Sequence, residues 1–195
     1  PNDIDANLSL AEINLAKWNA DMAARDLAVP LRLAKDDPRT RAAAAAVAYY
    51  TADAKRDEAG RQSALDAART LLETYPDQFS ARRVVIQAAL AGSDPTSATP
   101  MIDAALKARP RSLEVNMMKL DLLNKTGQSD AAVAQLKLMY NLFPDNKDIQ
   151  GWLKDWYLAK GAPDDTVAFL LDLAARTGND LPQHEAIADY VVRHL

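Results

Sequence analysis

His184-Glu185 opens like the His-Glu-x-x-His helix of a zinc hydrolase, in which two imidazoles one turn apart hold the metal and the Glu activates water. The residue four positions after His184 is Ala188, so the second ligand is missing; His194, ten residues on, points about 280° away around a helix. The chain has no cysteine, which removes disulfides, thiolate metal ligands and cysteine nucleophiles together. Asp145-Asn146-Lys147-Asp148 carries Lys where a calcium loop needs an oxygen, and Gly151 stands one place late, so the run reads as a helix start. With 6 glycines, none adjacent to another, there is no phosphate-cradling loop, and Gly-x-Ser-x-Gly is absent. Asp36-Asp37 and Asp164-Asp165 could trade protons as carboxylate pairs, but both fall where a helix begins or ends and an acid caps backbone N–H groups. No complete ligand or nucleophile set exists, and the expectation is a non-enzyme with neither metal nor cofactor.

The elements that carry these residues repeat. From Pro110 to Pro144 is thirty-four residues, and counting back from Pro144 by twelve, eight and five reaches Ala132, Leu136 and Met139, a 4-then-3 spacing that lines one helix face. The same count from Pro110 reaches Ala98, Ile102 and Ala105, and from Pro76 it reaches Ala64, Ala68 and Leu71. Gly127, seventeen residues before Pro144, marks where one helix stops and another starts, so the unit is a helical hairpin. Repeats are expected over 4–38, 39–76, 77–110, 111–144 and 145–178, with an extra helix over 182–195: eleven helices in one all-α domain spanning 1–195.

Each repeat carries its own expectations. In the first, Ala6, Leu10 and Ile13 fall at helical spacing in a helix from Ile4 to about Lys17, Trp18 takes the turn, and Pro30 predicts a kink or break near Val29. In the second, the polar stretch 54–61 predicts a turn about four residues longer than the others. Ser93-Asp94-Pro95 in the third predicts a capped start with Pro at the first helical position. In the fifth, Ile149, Leu153 and Tyr157 line the first helix and Leu170 and Leu173 the second, while Trp156 meets the preceding repeat as core.

The period, the small residue opening the second helix, the Gly at the inner turn and the closing Pro76-Asp77 and Pro144-Asp145 resemble tetratricopeptide repeats, over nearly the whole chain and most specifically over 76–178. The family's Trp-x-x-Leu-Gly-x-x-Tyr pattern is degenerate here: the fourth repeat offers Asn116, Lys119, Leu120 and Leu123, and the fifth Gln150, Leu153, Lys154 and Tyr157. The resemblance implies a right-handed α-solenoid of about five antiparallel helix pairs plus one extra C-terminal helix, and a protein-protein interaction scaffold that binds along its concave face.

On that face, eight residues after each punctuating Pro, stand Ser9, Ala46, Val84, Met118 and Trp152, and three residues later Glu12, Tyr49, Gln87, Asp121 and Asp155. An apolar ladder beside an acidic one suits a protein or peptide segment with alternating apolar and basic side chains. The candidate partner-binding residues are therefore Tyr49, Arg83, Val84, Gln87, Met118, Asp121, Trp152 and Asp155. The two-carboxylate clamp of the family's tail receptors is not matched, because its sites hold Asp5, Ala42, Ser80, Glu114 and Asp148, with Arg83 the one basic neighbour. A second reading, by resemblance to helical-repeat parts of envelope polysaccharide-export systems, makes the chain carbohydrate-binding and requires Tyr49 and Trp152 to face solvent. A third makes it the non-catalytic portion of a larger enzyme.

Lys and Arg number 23 against 27 Asp and Glu, a net charge of −4 with both signs interspersed, which disfavours a nucleic-acid partner. The longest near-apolar run, 42–52, falls short of the ~20 residues of a membrane-inserting helix. The Ala-rich, Cys-free composition points to a bacterial chain of cytoplasm or periplasm. Pro1-Asn2-Asp3 repeats the closing punctuation, so the chain is expected to be an internal fragment of a longer tetratricopeptide protein. In Gln183–Leu195, the side chains Ile187, Tyr190, Val191 and Leu195 fall on overlapping faces, which are expected to lie exposed or to self-associate with another copy.

Overall fold

The computed structural model describes residues 3–178 and 181–194. Among them are eleven α-helices and no strand: α1 (Ile4–Ala16), α2 (Ala20–Leu33), α3 (Pro38–Ala54), α4 (Glu58–Thr74), α5 (Phe79–Ala91), α6 (Thr99–Ala108), α7 (Leu113–Lys125), α8 (Ser129–Leu142), α9 (Lys147–Lys160), α10 (Pro163–Thr177) and α11 (Leu181–His194). Short polar side chains start them. Asp3, Asn19, Asp37, Asp57, Ser112 and Asn146 each accept a hydrogen bond from a backbone N–H in the first turn of the helix that follows, which satisfies donors the helix leaves unpaired. Asp94 does the same for a 3-10 turn, Pro95–Ala98, that leads into α6. Asp37 is held below the usual carboxylate range, first by its side-chain hydrogen bond with Arg39.

The chain divides into two compact units, Pro1–Thr126 and Gly127–Leu195. In the first, α1 packs on α2 and α3 on α4, and each first helix also lies against the next, α1 on α3, α3 on α5 and α5 on α7. Contact with the next and next-but-one helix is the packing of an α-solenoid. Its core is built from small residues: Ala42, Ala43, Ala45 and Ala46 of α3 are all buried, beside Ala11, Ala23, Ala64, Ala68 and Ala81. A second cluster gathers Ile86, Leu90, Ala98, Ile102, Met118 and Leu122. In the second unit α8 packs on α9, α9 on α10 and α10 on α11.

Four expectations change. In α1 the buried residues are Leu8, Ala11 and Leu15, while Leu10 and Ile13 are each 50% exposed; apolar side chains occur all round this helix, so two faces share the 3- and 4-residue spacing. Pro30 does not break α2, which runs on to Leu33 with Pro30 itself buried. The Pro stands so near the C-terminus that the helix loses one ladder bond and no following turn. The stretch 54–61 is not a long turn. Only residues 55–57 are non-helical, and the extra length goes into α3 and α4, 17 residues each against 13 in α1. Trp156 is half-buried, with the Lys137 ammonium of α8 5.1 Å from its ring centre. Of the last helix's apolar stripe, Ile187 is buried and Tyr190 and Val191 half-buried; Leu195 lies outside the described residues, as do Pro1 and Asn2.

Candidate partner-binding surfaces

In the first unit the inner positions are closed by an ionic cluster. Arg83 of α5 is 1% exposed. Its guanidinium donates to Glu114 of α7 through Nε and, at 3.0 Å, through Nη2; Nη2 also reaches Glu12 of α1 at 3.1 Å, and Nη1 donates to Ser80 at 2.8 Å. The Ser80 hydroxyl in turn donates to Glu12. Burial works against the charge on Arg83, but the hydrogen bond and the carboxylate of Glu114, with Glu12 adding, outweigh it and hold the guanidinium above its usual value. Three first helices are thereby tied together across the small side chains of α3.

The candidate residues of this unit divide accordingly. Tyr49, Arg83, Val84 and Met118 are buried at 6%, 1%, 0% and 2% exposure and present nothing to a partner, while Gln87 and Asp121 are half-buried. Val84 and Met118 pack as core, as does Ala46, because the position eight residues after Pro38, Pro76 and Pro110 faces the neighbouring first helix. With Tyr49 buried, the sugar-stacking reading loses one of its two aromatics. The cluster was nonetheless visible in outline: Arg83 is the one cation among the acidic inner positions Glu12 and Glu114.

The second unit leaves α9 more open. Asp148, Trp152 and Asp155 share one stripe of α9 and are exposed, Trp152 at 43%. A second stripe, Lys147, Gly151, Lys154 and Leu158, lines a cleft of about 710 Å³ completed by α10 and α11. Gly151 faces open space, for a Cβ built there meets no atom within 4 Å. Leu170 and Leu173, expected to line the core of α10, are half-buried and face this cleft, while Thr166, Phe169 and Ala174 are the buried residues of that helix. Phe169 stacks on Tyr157 with ring centres 4.5 Å apart, and Tyr140 donates its hydroxyl to Asp172 at 2.9 Å.

A hydrogen-bonded device recurs at the repeat entries. Arg82, Asn116 and Gln150 each stand six residues after a punctuating Pro, and each donates a side-chain hydrogen bond to that Pro's carbonyl, Pro76, Pro110 and Pro144. Asn116 and Gln150 are buried, and they hold the first position of the Trp-x-x-Leu pattern. An amide that fastens the repeat's entry thus replaces an aromatic that would fill it. His184 and His194 are exposed, and His194 stacks on Tyr190 at 4.3 Å. Among the described residues no group of three or more His, Cys, Asp or Glu is placed to hold a metal ion, and no helix is long and apolar enough to cross a membrane.

No protein-family profile and no curated protein matches the sequence. Among solved structures the chain is similar to a thermophilic TPR protein of Thermus thermophilus, with a TM-score of 0.53 and 19% sequence identity over 97% of this chain and 100% of that one. At that identity the likeness is one of fold, and the chain has the all-α helical-repeat fold seen in a tetratricopeptide protein.

Proposed function

We propose that the chain is a protein-interaction scaffold, and that the Asp148–Trp152–Asp155 face of α9 takes a segment of a partner protein that presents apolar and basic side chains. One observation carries the reading: a Trp 43% exposed on an ordered helix between two exposed carboxylates. A large amphipathic ring is a common energetic anchor of an interface, and the flanking acids favour a cationic partner and speed its approach. The helical-repeat fold supports the reading, since stacked hairpins offer long binding surfaces. Gln87 and Asp121, half-buried in the first unit, are proposed as lesser contacts there.

A photo-crosslinking phenylalanine placed at position 152 is expected to capture a discrete protein from an extract of the native cells, and capture should fall when Asp148 and Asp155 are both changed to Lys. Trp152→Ala is expected to leave unfolding within about 0.5 kcal/mol of the parent, because the ring is exposed, yet to weaken binding of the captured protein at least about tenfold. Capture at 152 no different from capture at exposed Leu31 would overturn the proposal.

A further inference from the structure

We infer that the cleft between α9, α10 and α11 is a second docking site, for an acidic amphipathic helix of a partner protein. It lies about 100° round α9 from the Trp152 face and stands or falls independently of what that face binds.

The first observation is missing cover. Eight and five residues before the ends of the second, third and fourth repeats stand Ala68 and Leu71, Ile102 and Ala105, and Leu136 and Met139, all no more than 7% exposed. Leu170 and Leu173 hold those two places in α10 and are only half-buried. In the first unit each first helix packs on the next, whereas α11 packs on α10 and leaves the α9 stripe of Gly151, Lys154 and Leu158 uncovered. The open space at Gly151 and the 45% exposure of Leu158 follow from that splay. A cleft of this size with an apolar floor is a place for a ligand's apolar side chains.

The second observation is charge. Lys147 and Lys154 form no ion pair among the described residues. The cleft's one carboxylate, Asp189, pairs with the third cation, Arg193, at 3.5 Å. In a chain of net charge −4 this is a locally cationic rim. Lys147 and Lys154 are seven residues apart and so sit two turns apart on one side of α9, about 10.5 Å along its axis. A helix with acids at i and i+7 matches that interval, and its leucines at i+3 and i+4 reach Leu170 and Leu173. An extended or purely apolar segment would leave the two ammonium groups unmatched.

The test uses the full chain and a fluorescein-labelled helical peptide with Glu at i and i+7 and Leu at i+3 and i+4, alongside the same peptide with Lys for Glu. Anisotropy should show saturable binding of the Glu peptide tighter than about 1 mM, and the Lys peptide weaker by at least about tenfold. Changing Lys147 and Lys154 together to Glu should reverse the preference. Gly151→Leu should raise the thermal midpoint, as Gly is a poor helix former and the added side chain has room, while abolishing peptide binding because it fills the cleft. Equal binding of the two peptides, no binding of the Glu peptide, or unchanged binding by Gly151→Leu would each overturn the inference. So would a parent dimer that Gly151→Leu dissociates, since the occupant would then be a second copy. Crosslinking at position 152 is unaffected by these outcomes.

Discussion

Two tyrosines show how far a single hydroxyl depends on its surroundings. Tyr50 and Tyr140 are buried to similar degrees, 7% and 4% exposed. The Tyr140 hydroxyl donates to Asp172, which keeps Arg176 at 2.9 Å as a further partner, whereas the Tyr50 hydroxyl hydrogen-bonds no group among the described residues. Tyr140→Phe is therefore expected to cost the second unit about 0.5–1.5 kcal/mol, and Tyr50→Phe to be neutral or mildly stabilising, in urea titrations near pH 8. Burial first, then the hydrogen bond and charge of Asp172, push Tyr140 up to about 12. The folded state thus holds this proton more tightly than the unfolded chain, whose tyrosines titrate near about 10. Its contribution is complete below about pH 10 and is lost as pH rises toward 12, so the alkaline decline should be shallower in Tyr140→Phe. The sequence marked both side chains as aromatic and said nothing of their partners, because Asp172 lies 32 residues from Tyr140 and is brought there by packing. The same holds for Val84 and Met118: their periodic places were legible, but whether those places faced solvent or a neighbouring helix depended on how closely the Ala-rich helices approach.

At the scale of elements, three of the short turns between consecutive helices share one form. Residues 17–19, 55–57 and 126–128 are those turns, and the middle residue is left-handed each time, Trp18 at φ 59°, Arg56 at φ 55° and Gly127 at φ 69°. Glycine takes that conformation without the steric cost that an L side chain meets. Arg56→Gly is expected to stabilise the first unit by up to about 1 kcal/mol in thermal or urea unfolding. Trp18→Gly should show no such gain, because it removes a ring 5.0 Å from that of Tyr50. Gly127 marks a turn in the sequence; Arg56 does not, since nothing in an arginine announces a positive φ. That gap produced the over-long turn expected over 54–61. Helix starts were legible almost throughout, because Asp, Asn and Ser caps act within three residues of themselves. The half-covered state of Leu170 and Leu173 was not, because it depends on where α11 settles.

Across the first unit, Arg83 is the long-range tie. Its partners lie 71 residues back at Glu12 and 31 ahead at Glu114, whose side chain is itself 8% exposed. Removing Arg83 leaves the Glu114 carboxylate buried and unmatched, while Glu12, 39% exposed, stays partly hydrated, so Arg83→Ala is expected to cost about 3 kcal/mol in urea unfolding. Replacing the cluster as a whole, Arg83→Met with Glu12→Gln and Glu114→Leu, should recover most of that loss, since apolar side chains of similar volume dispense with desolvating the charges. A triple variant as unstable as Arg83→Ala would show that packing of the guanidinium, whose carbon lies 5.0 Å from the centre of the Phe79 ring, matters more than its ion pairs.

Repeat chains lengthen and shorten by copying or losing one hairpin, an edit that is harmless when every hairpin answers only to its neighbours. The Arg83 cluster makes the segment between α1 and α7 an exception. Insert a copy of the α3–α4 hairpin, and Glu12 moves out of reach while Arg83 stays buried; delete that hairpin, and the spacing that brings the two together is gone. The first unit should therefore resist changes in repeat number between residues 12 and 114. Descendants of this chain would be expected to vary in length outside that interval, and an engineer shuffling its hairpins would have to carry Glu12, Ser80, Arg83 and Glu114 together as one inheritance.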